Sequence, residues 1–410
     1  MTYSIFTVLP AFVILFWLVL FSIDAKKNIA KRFLIFFLLI ALVNYLIHWL
    51  YFNNNYQAYC ILDSIWIFTS LSIFPLYYYY IRLLAIDPKI DYKWRWILIP
   101  AVALSLFSVA TYLMMSPQEI EIFTNEILYP NRPPSGDYST LIKMQVLKMN
   151  LFKVILTVEV IATVVYGFRL IKWFNLRVMA YYSDVEHREL YNIQMTLIFL
   201  LATAIISIIS TLVGKGFFID KPHLLSIPSI AHSFVLFGIC FAGYRQSFSI
   251  RELTVDQFQY VDEEPLEEEN EEEFVDEDER IVLGSKYEEL YVRMEYLLNN
   301  EQIFKNSDLR LDDLASKMGS NRTYVSRLIN NKTDYNFCEY INSHRIAHAK
   351  KLLSSEDVKQ LSLEEIAMES GFSSLSSFYR IFVKMEEITP AKYRKRVKNL
   401  REKREERRIT

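Results

Sequence analysis

Residues Leu363–Arg394 read LEEIAMESGFSSLSSFYRIFVKMEEITPAKYR, the pattern of a short helix, a glycine turn and a second helix. In the first helix Leu363, Ile366 and Ala367 recur at spacings of three and four, so they share one face. Gly371 breaks the pattern and Phe372 supplies an apolar plug. Ser373 or Ser374 is a natural N-cap for the next helix, because a serine hydroxyl accepts one of its unpaired backbone N–H groups. Phe378, Ile381 and Phe382 form that helix's apolar stripe, and Thr389-Pro390 marks its end. Ser376, Ser377, Arg380 and Lys384 are then expected to face outward. Such a pair of helices, with hydroxyls and an arginine on the second, suits entry into a DNA major groove.

The pattern occurs twice. Leu311-Asp312-Asp313-Leu314-Ala315 matches Leu363-Glu364-Glu365-Ile366-Ala367, and Gly319 matches Gly371. In the first copy Asn321 is the expected N-cap and Tyr324, Val325 and Leu328 the buried stripe. Arg322, Thr323, Ser326 and Arg327 are left outside. A helix from about Phe337 to Ser354, anchored by Ile341, Ile346, Ala349, Leu352 and Leu353, joins the copies. Two recognition helices on one rod would meet successive major grooves, about 34 Å apart along B-DNA. Arg327 and Arg380 have the reach to bond guanine O6 and N7 bidentately, and Leu375 to lie on a thymine methyl. Arg322 and Lys384 are placed for phosphates, which add affinity without sequence choice.

The first 250 residues have another character. The chain has 410 residues, 52% hydrophobic, with 29 Phe, 27 Tyr and a net charge of −2. That near-neutrality is a cancellation, since apolar residues crowd the first part and charges the last. Seven runs, near 3–23, 33–51, 59–82, 96–115, 147–171, 192–213 and 224–244, approach the roughly 20 apolar residues that a bilayer crossing needs. The N-terminus has no basic region and no small-residue cleavage site near Ser22, so the first run reads as a retained helix. Lys26, Lys27, Lys31 and Arg32 follow the first run, Arg82, Lys89, Lys93 and Arg95 the third, and Arg169, Lys172, Arg177 and Arg188 the fifth. The other connections are poor in basic residues. By the positive-inside rule the N-terminus is outside and the C-terminus in the cytoplasm. Within the spans, Asp63, Lys153, Glu159 and His232 are candidate contacts of an outward-opening ligand pocket, because intramembrane charges pair or face a cavity. The alternative is that Lys148 and Lys153 snorkel outward and the carboxylates pair with them. The proline-rich connection 116–145 reads as a lid, a partner-binding loop or a plain linker.

Residues 251–281, centred on EEPLEEENEEEFVDEDE, carry too much like charge to fold and are expected to form a disordered acidic linker. A helix over 282–301 then places Leu283, Tyr287, Leu290, Met294 and Leu297 at a/d spacing. It is suited either to pairing in a homodimer or to packing on the domain behind it. That domain covers 302–398, and 399–410 form a charged tail. Three cysteines, Cys60, Cys240 and Cys338, lie far apart without metal-ligand spacing. There is no nucleophile–base–carboxylate set, no phosphate loop and no kinase ATP motif, so the sequence suggests neither an enzyme nor a bound cofactor or metal.

RIAHAKKLL on the joining helix, then IAMESGFSSLSSFYRIF and TPAKYR, resemble the signature of the AraC family of transcription regulators over roughly the last 100 residues. The resemblance implies base contacts from Thr323, Ser326 and Arg327 in the first unit and from Leu375, Ser376, Ser377 and Arg380 in the second. The family often has glycine where Asp334 and Glu387 stand here, each just past a recognition helix. Its usual soluble sugar-binding barrel is absent, and the seven-span arrangement looks like the membrane-tethered members. The expected fold is therefore all-α: a seven-helix transmembrane bundle, an acidic linker and a double helix–turn–helix. The expected function is a one-component regulator in the cytoplasmic (inner) membrane that binds double-stranded promoter DNA under a small-molecule or protein signal. The alternatives are a membrane transporter or enzyme with a regulatory DNA-binding end, and a membrane half that only anchors.

Overall fold

The computed structural model describes residues 2–24, 28–52, 56–87, 89–128, 133, 136–186, 188–213, 224, 226–258, 277–355 and 361–409. Every named element among them is helical, and the only β-type pairing is an isolated bridge between Tyr182 and Arg310. The chain divides into two compact units: Met1–Phe174 with Leu190–Glu252, and Asn175–Glu189 with Leu253–Thr410.

The first unit is built from α1 (Thr2–Asp24), α2 (Ile29–Phe52), α3 (Tyr56–Ala85), α4 (Ile99–Met114), α5 (Pro117–Ile122), most of α6 (Thr140–Tyr181), α7 (Tyr191–Val213) and α8 (Ser226–Arg245). A 3-10 turn over Tyr92–Leu98 leads into α4. Neighbours pack as α1 with α2 and α8, α2 with α3, α3 with α4, and α7 with α8. Among the described residues all seven expected runs are helical. Among the described residues five helices are long and apolar enough to cross a membrane, namely Ile29–Tyr51, Cys60–Ala85, Tyr92–Met114, Thr140–Tyr181 and Ser226–Gln257. Thr7–Ile23 of α1 and Tyr191–Ile206 of α7 are further apolar stretches, bounded by where the described side chains end. Ile61, Trp96, Leu113, Val154 and Phe234 stand among many exposed large apolar side chains on these helices, as a lipid-facing surface requires. The connection 116–145 is more than a linker. Ser116 and Glu119 form a capping box at α5, a π-helical turn Phe123–Leu128 follows, and Phe123 and Leu128 are buried with Ile47, Tyr51 and Ile142.

The second unit contains α9 (Ile250–Phe258) from Leu253 onward, α10 (Glu277–Asn299), α11 (Leu311–Met318), α12 (Arg322–Thr333), α13 (Phe337–Ser354), α14 (Leu363–Glu369), α15 (Leu375–Glu386) and α16 (Pro390–Ile409). Two ends of the expected disordered linker are thus helical, at 251–258 and 277–281, while 259–276 lie outside the described residues. Local chemistry explains the first: the Ser249 backbone N–H donates to Glu252 Oε2 at 2.9 Å, closing the first turn, and Ile250 and Leu253 are buried. The C-terminal part of the α10 stripe packs on its own domain, with Met294 and Leu297 buried beside Leu298 and α10 against α11, while the Leu283 side chain lies outside the described residues. Thr389-Pro390 starts α16 rather than ending α15, since proline at the first helical position lacks only an N–H that would be unpaired anyway.

Candidate nucleic-acid interface

The two helix–turn–helix units are α11–α12 and α14–α15, joined by α13. Asn321 Oδ1 accepts from Tyr324 N at 2.9 Å, and Ser374 Oγ accepts from Ser377 N at 3.0 Å, so both expected N-caps are formed. Gly319 and Gly371 have φ of +67° and +87°, the left-handed conformation that a glycine turn supplies. The core behind α15 is Ile346, Ala349 and Leu353 of α13, Ile366 and Ala367 of α14, and Phe372, Phe378, Ile381 and Phe382.

On α12 the outward set is Arg322, Thr323 and Arg327, all exposed, with Ser326 half-buried. Arg322 also donates to the Gln257 carbonyl at 3.4 Å. On α15 only Ser376, Arg380 and Lys384 of the expected set are exposed. Leu375 is half-buried, one side of it packed on the apolar core. Ser377 is 5% exposed, against the outward position expected for it. Its spacing from Ser374, Arg380, Ile381 and Lys384 puts it on the flank between the apolar stripe and the charged edge. That flank is covered. Residues 182–186, 188 and 189, from the connection between α6 and α7, lie along it as a strap. Ser373 Oγ donates to Asp184 Oδ2, Ser374 Oγ donates to Glu186 Oε2, and Arg380 Nη1 is 3.6 Å from Glu189 Oε2. Burial raises the Glu189 carboxyl above its ordinary value, with Arg380 and Lys384 opposing the shift. Lys384 pairs with Glu339 at 3.1 Å.

Arg345 anchors the strap. The residue is 1% exposed, and its guanidinium donates to Phe304 O at 2.8 Å, Asn306 O at 2.8 Å, Ser183 O at 3.2 Å and Ser183 Oγ at 2.9 Å. The Ser183 N–H in turn donates to Leu309 O at 3.1 Å. Arg188 donates to Asp184 O at 2.6 Å and pairs with Asp308 at 2.9 Å. Nothing in the spacing of the sequence marks these partners, since they bridge roughly 160 residues (183 to 345).

Each of the four pocket candidates has its own surroundings. Asp63 pairs with Lys148, Nζ to Oδ2 at 2.6 Å, with side chains 4% and 2% exposed. Tyr112 OH donates to the same oxygen at 3.1 Å, and the Lys148 ammonium lies 5.2 Å from the Tyr112 ring and 5.6 Å from the Phe123 ring. Lys148 therefore does not snorkel outward. Lys153 is exposed, Glu159 has both carboxylate oxygens buried without a hydrogen-bond partner among the described residues, and His232 Nδ1 lies 2.7 Å from Pro228 O. No group of His, Cys, Asp and Glu able to hold a metal occurs among the described residues.

Residues 314–396 match a family model described as a helix-turn-helix domain. The probable transcription factor PqrA of Proteus vulgaris is 33% identical over 93 residues, which are 23% of this chain and 74% of that protein. The chain belongs to the AraC family. The regulatory protein PocR of Salmonella typhimurium, 33% identical over 92 residues, is matched over 22% of this chain and 29% of its own length. The match to the transcriptional regulator YtdP of Bacillus subtilis covers 12% of that protein, so most of each larger relative lies outside the shared part. The C-terminal domain of the two-component response regulator YesN from Fusobacterium nucleatum is 29% identical, with 24% of this chain and 96% of that one covered at a TM-score of 0.22.

Asp334 and Glu387 hold the AraC-type left-handed caps without glycine, at φ of +56° and +58°. A non-glycine residue there costs roughly 1–2 kcal/mol. Glu387→Gly is therefore expected to stabilise α15 by about 1 kcal/mol, part of the relief being offset by the freer unfolded chain. Hydrogen exchange should show roughly fivefold greater protection of the α15 amides. Unchanged or lower protection would mean the glutamate cap is unstrained.

Proposed function

We propose that this chain is a membrane-bound one-component transcription regulator that reads specific double-stranded DNA through both helix–turn–helix units. The observation that carries the reading is the duplicated motif itself, with Arg327 and Arg380 exposed on α12 and α15. In this reading Thr323, Ser326, Arg327, Ser376, Ser377 and Arg380 meet base edges or their flanking phosphates. Leu375 borders a thymine methyl, and Arg322 and Lys384 hold phosphates. Each bidentate arginine–guanine pair contributes roughly 1–3 kcal/mol of discrimination.

Seven helices, α1–α4 and α6–α8, cross the cytoplasmic membrane, with the N-terminus outside and the DNA reader in the cytoplasm. The basic connections support this orientation. So does the membership of Asn175–Glu189, between α6 and α7, in the same compact unit as the reader. A small-molecule or protein signal at the first unit, with Asp63, Lys153, Glu159 and His232 as its candidate contacts, biases DNA binding. A second copy of the chain is the natural partner on a promoter with repeated sites.

The test uses full-length protein in lipid nanodiscs and a pool of random duplexes. An enriched sequence with two recognisable parts about one helical turn apart is expected. Arg327→Ala should weaken binding to that duplex by about 5- to 150-fold, the equivalent of roughly 1–3 kcal/mol, and change binding to scrambled duplex much less. Equal losses on both duplexes would remove α12 from base reading.

A further inference from the structure

We propose that the α6–α7 connection is an autoinhibitory strap whose carboxylates occupy the DNA-facing flank of α15. This deepens the DNA-reading proposal above and rests on it.

Three observations carry it. First, the strap's acidic side chains go to the groups that DNA would use. Asp184 binds Ser373, Glu186 binds Ser374, and Glu189 lies beside Arg380, while Ser377 between them is buried. Ser373 and Ser374 open α15, where a helix N-terminus presents N–H groups and a positive dipole to a phosphate. Carboxylates that fill this end have the charge of the ligand they exclude. Second, the contact is steric as well as electrostatic. A segment in hydrogen-bond contact with Ser373 and Ser374 leaves no room there for a phosphate or a base edge. Third, the strap is held from inside the domain. Tyr182, Ser183 and Val185 are buried, and Arg345 donates to both Ser183 oxygens from below. An incidental surface contact would have no such buried anchor.

The consequence is asymmetric. On α12, Arg322, Thr323 and Arg327 are exposed, with Arg322 also donating to the Gln257 carbonyl, whereas α15 must first shed its carboxylate strap. Strap residues are continuous in the chain with α6 and α7. Asp184 lies three residues past the end of α6 and Glu189 two before the start of α7, so a change in either helix reaches α15 without passing along the acidic linker.

The test compares three full-length proteins in nanodiscs on a duplex selected from the random pool with the strap variant. The strap variant is Asp184→Asn/Glu186→Gln/Glu189→Gln. Its charge-matched control is Glu288→Gln/Glu289→Gln/Glu301→Gln, on or just beyond α10. The strap variant is expected to bind about tenfold or more tighter than wild type, and the control within about threefold. Its slope of log K against log salt should steepen by about one for each phosphate contact newly made by an unmasked cation. A Glu186→Cys/Ser374→Cys pair, oxidised to lock the strap, should weaken binding at least tenfold, with recovery on reduction. If wild type binds the duplex as tightly as the strap variant, and the locked pair binds as well as its reduced form, the strap idea is wrong. If no duplex is enriched by any of the proteins, the DNA-reading proposal itself fails, and the strap with it.

Discussion

Gly371→Ala is expected to cost the second unit about 3 kcal/mol or more, combining a left-handed backbone penalty of roughly 1–2 kcal/mol with a backbone clash. A Cβ at this position would lie 2.5 Å from Phe304 O and 2.7 Å from Lys305 Cα, with φ at +87°. Neither neighbour is free to retreat. The Phe304 carbonyl is gripped by Arg345 Nε at 2.8 Å, and the Phe304 side chain is itself buried. Phe372, next in sequence, is locked in the core beneath Arg345, whose guanidinium lies 5.8 Å from its ring. Gly319→Ala is the internal comparison. It has the same backbone sign at φ +67°, but the nearest atom to its Cβ is Arg293 Nη1 at 4.0 Å. Only the backbone term applies there, about 1–2 kcal/mol. Hydrogen-exchange mass spectrometry of the full chain should show protection across α14 and α15 falling on the order of 100-fold for Gly371→Ala, and far less across α11 and α12 for Gly319→Ala. Equal losses at the two glycines would mean that the close approach to residues 304 and 305 does not matter.

The glycine pair also shows what the sequence makes legible. Each repeat is written in local terms: apolar residues three and four apart, a glycine four after the alanine, and a cap just past the turn. Those terms act within one or two helical turns, so α11, α12, α14 and α15 fall where the spacing puts them, and so do Asn321 and Ser374. The two glycines look alike in sequence and differ only in what lies across from them, which the repeat does not encode. Asp63 and Lys148 pair across a separation of 85 positions along the chain, and no period in the sequence points one to the other. The strap is harder still. Between two long apolar helices, a short polar stretch such as Ser183-Asp184-Val185-Glu186 reads as an ordinary connection. Its partner Arg345 reads as part of a joining helix. Burial of Ser377 is equally out of reach, since a helical wheel shows which flank a residue occupies but not what covers the flank. Thr389-Pro390 went astray for a different reason. Proline stops a helix coming from its N-terminal side and equally well begins one, and here Glu387 had already closed α15.

Lys148→Met is expected to destabilise the first unit by about 3–5 kcal/mol, because removing one partner strands a buried charge. Asp63 would keep its Tyr112 hydrogen bond at 3.1 Å but lose the ammonium at 2.6 Å, in a site where its own side chain is 4% exposed. Methionine fills the volume against Phe123 and Tyr112, so the loss is electrostatic rather than a cavity. The double variant Asp63→Asn/Lys148→Met removes the charge together with its partner, and an amide retains an oxygen for the Tyr112 hydroxyl. Most of the lost stability should therefore return, since a buried pair replaced as a whole is often neutral or better. The readout is favourable. All six tryptophans lie at or before Trp173, within the first unit, so tryptophan fluorescence follows its unfolding alone. For a unit of this size the single variant should melt roughly 10 °C lower in nanodiscs. A single variant that melts with wild type would show that water or lipid headgroups already screen the pair. A double variant as unstable as the single one would show that Lys148 matters through its packing on Tyr112 and Phe123. If the pair instead proves stability-neutral as a whole, the proposed response to a signal is the role left for it, in a buried site with the ammonium 5.2 Å from the Tyr112 ring. In that case the double variant would fold as wild type yet leave DNA binding insensitive to the signal.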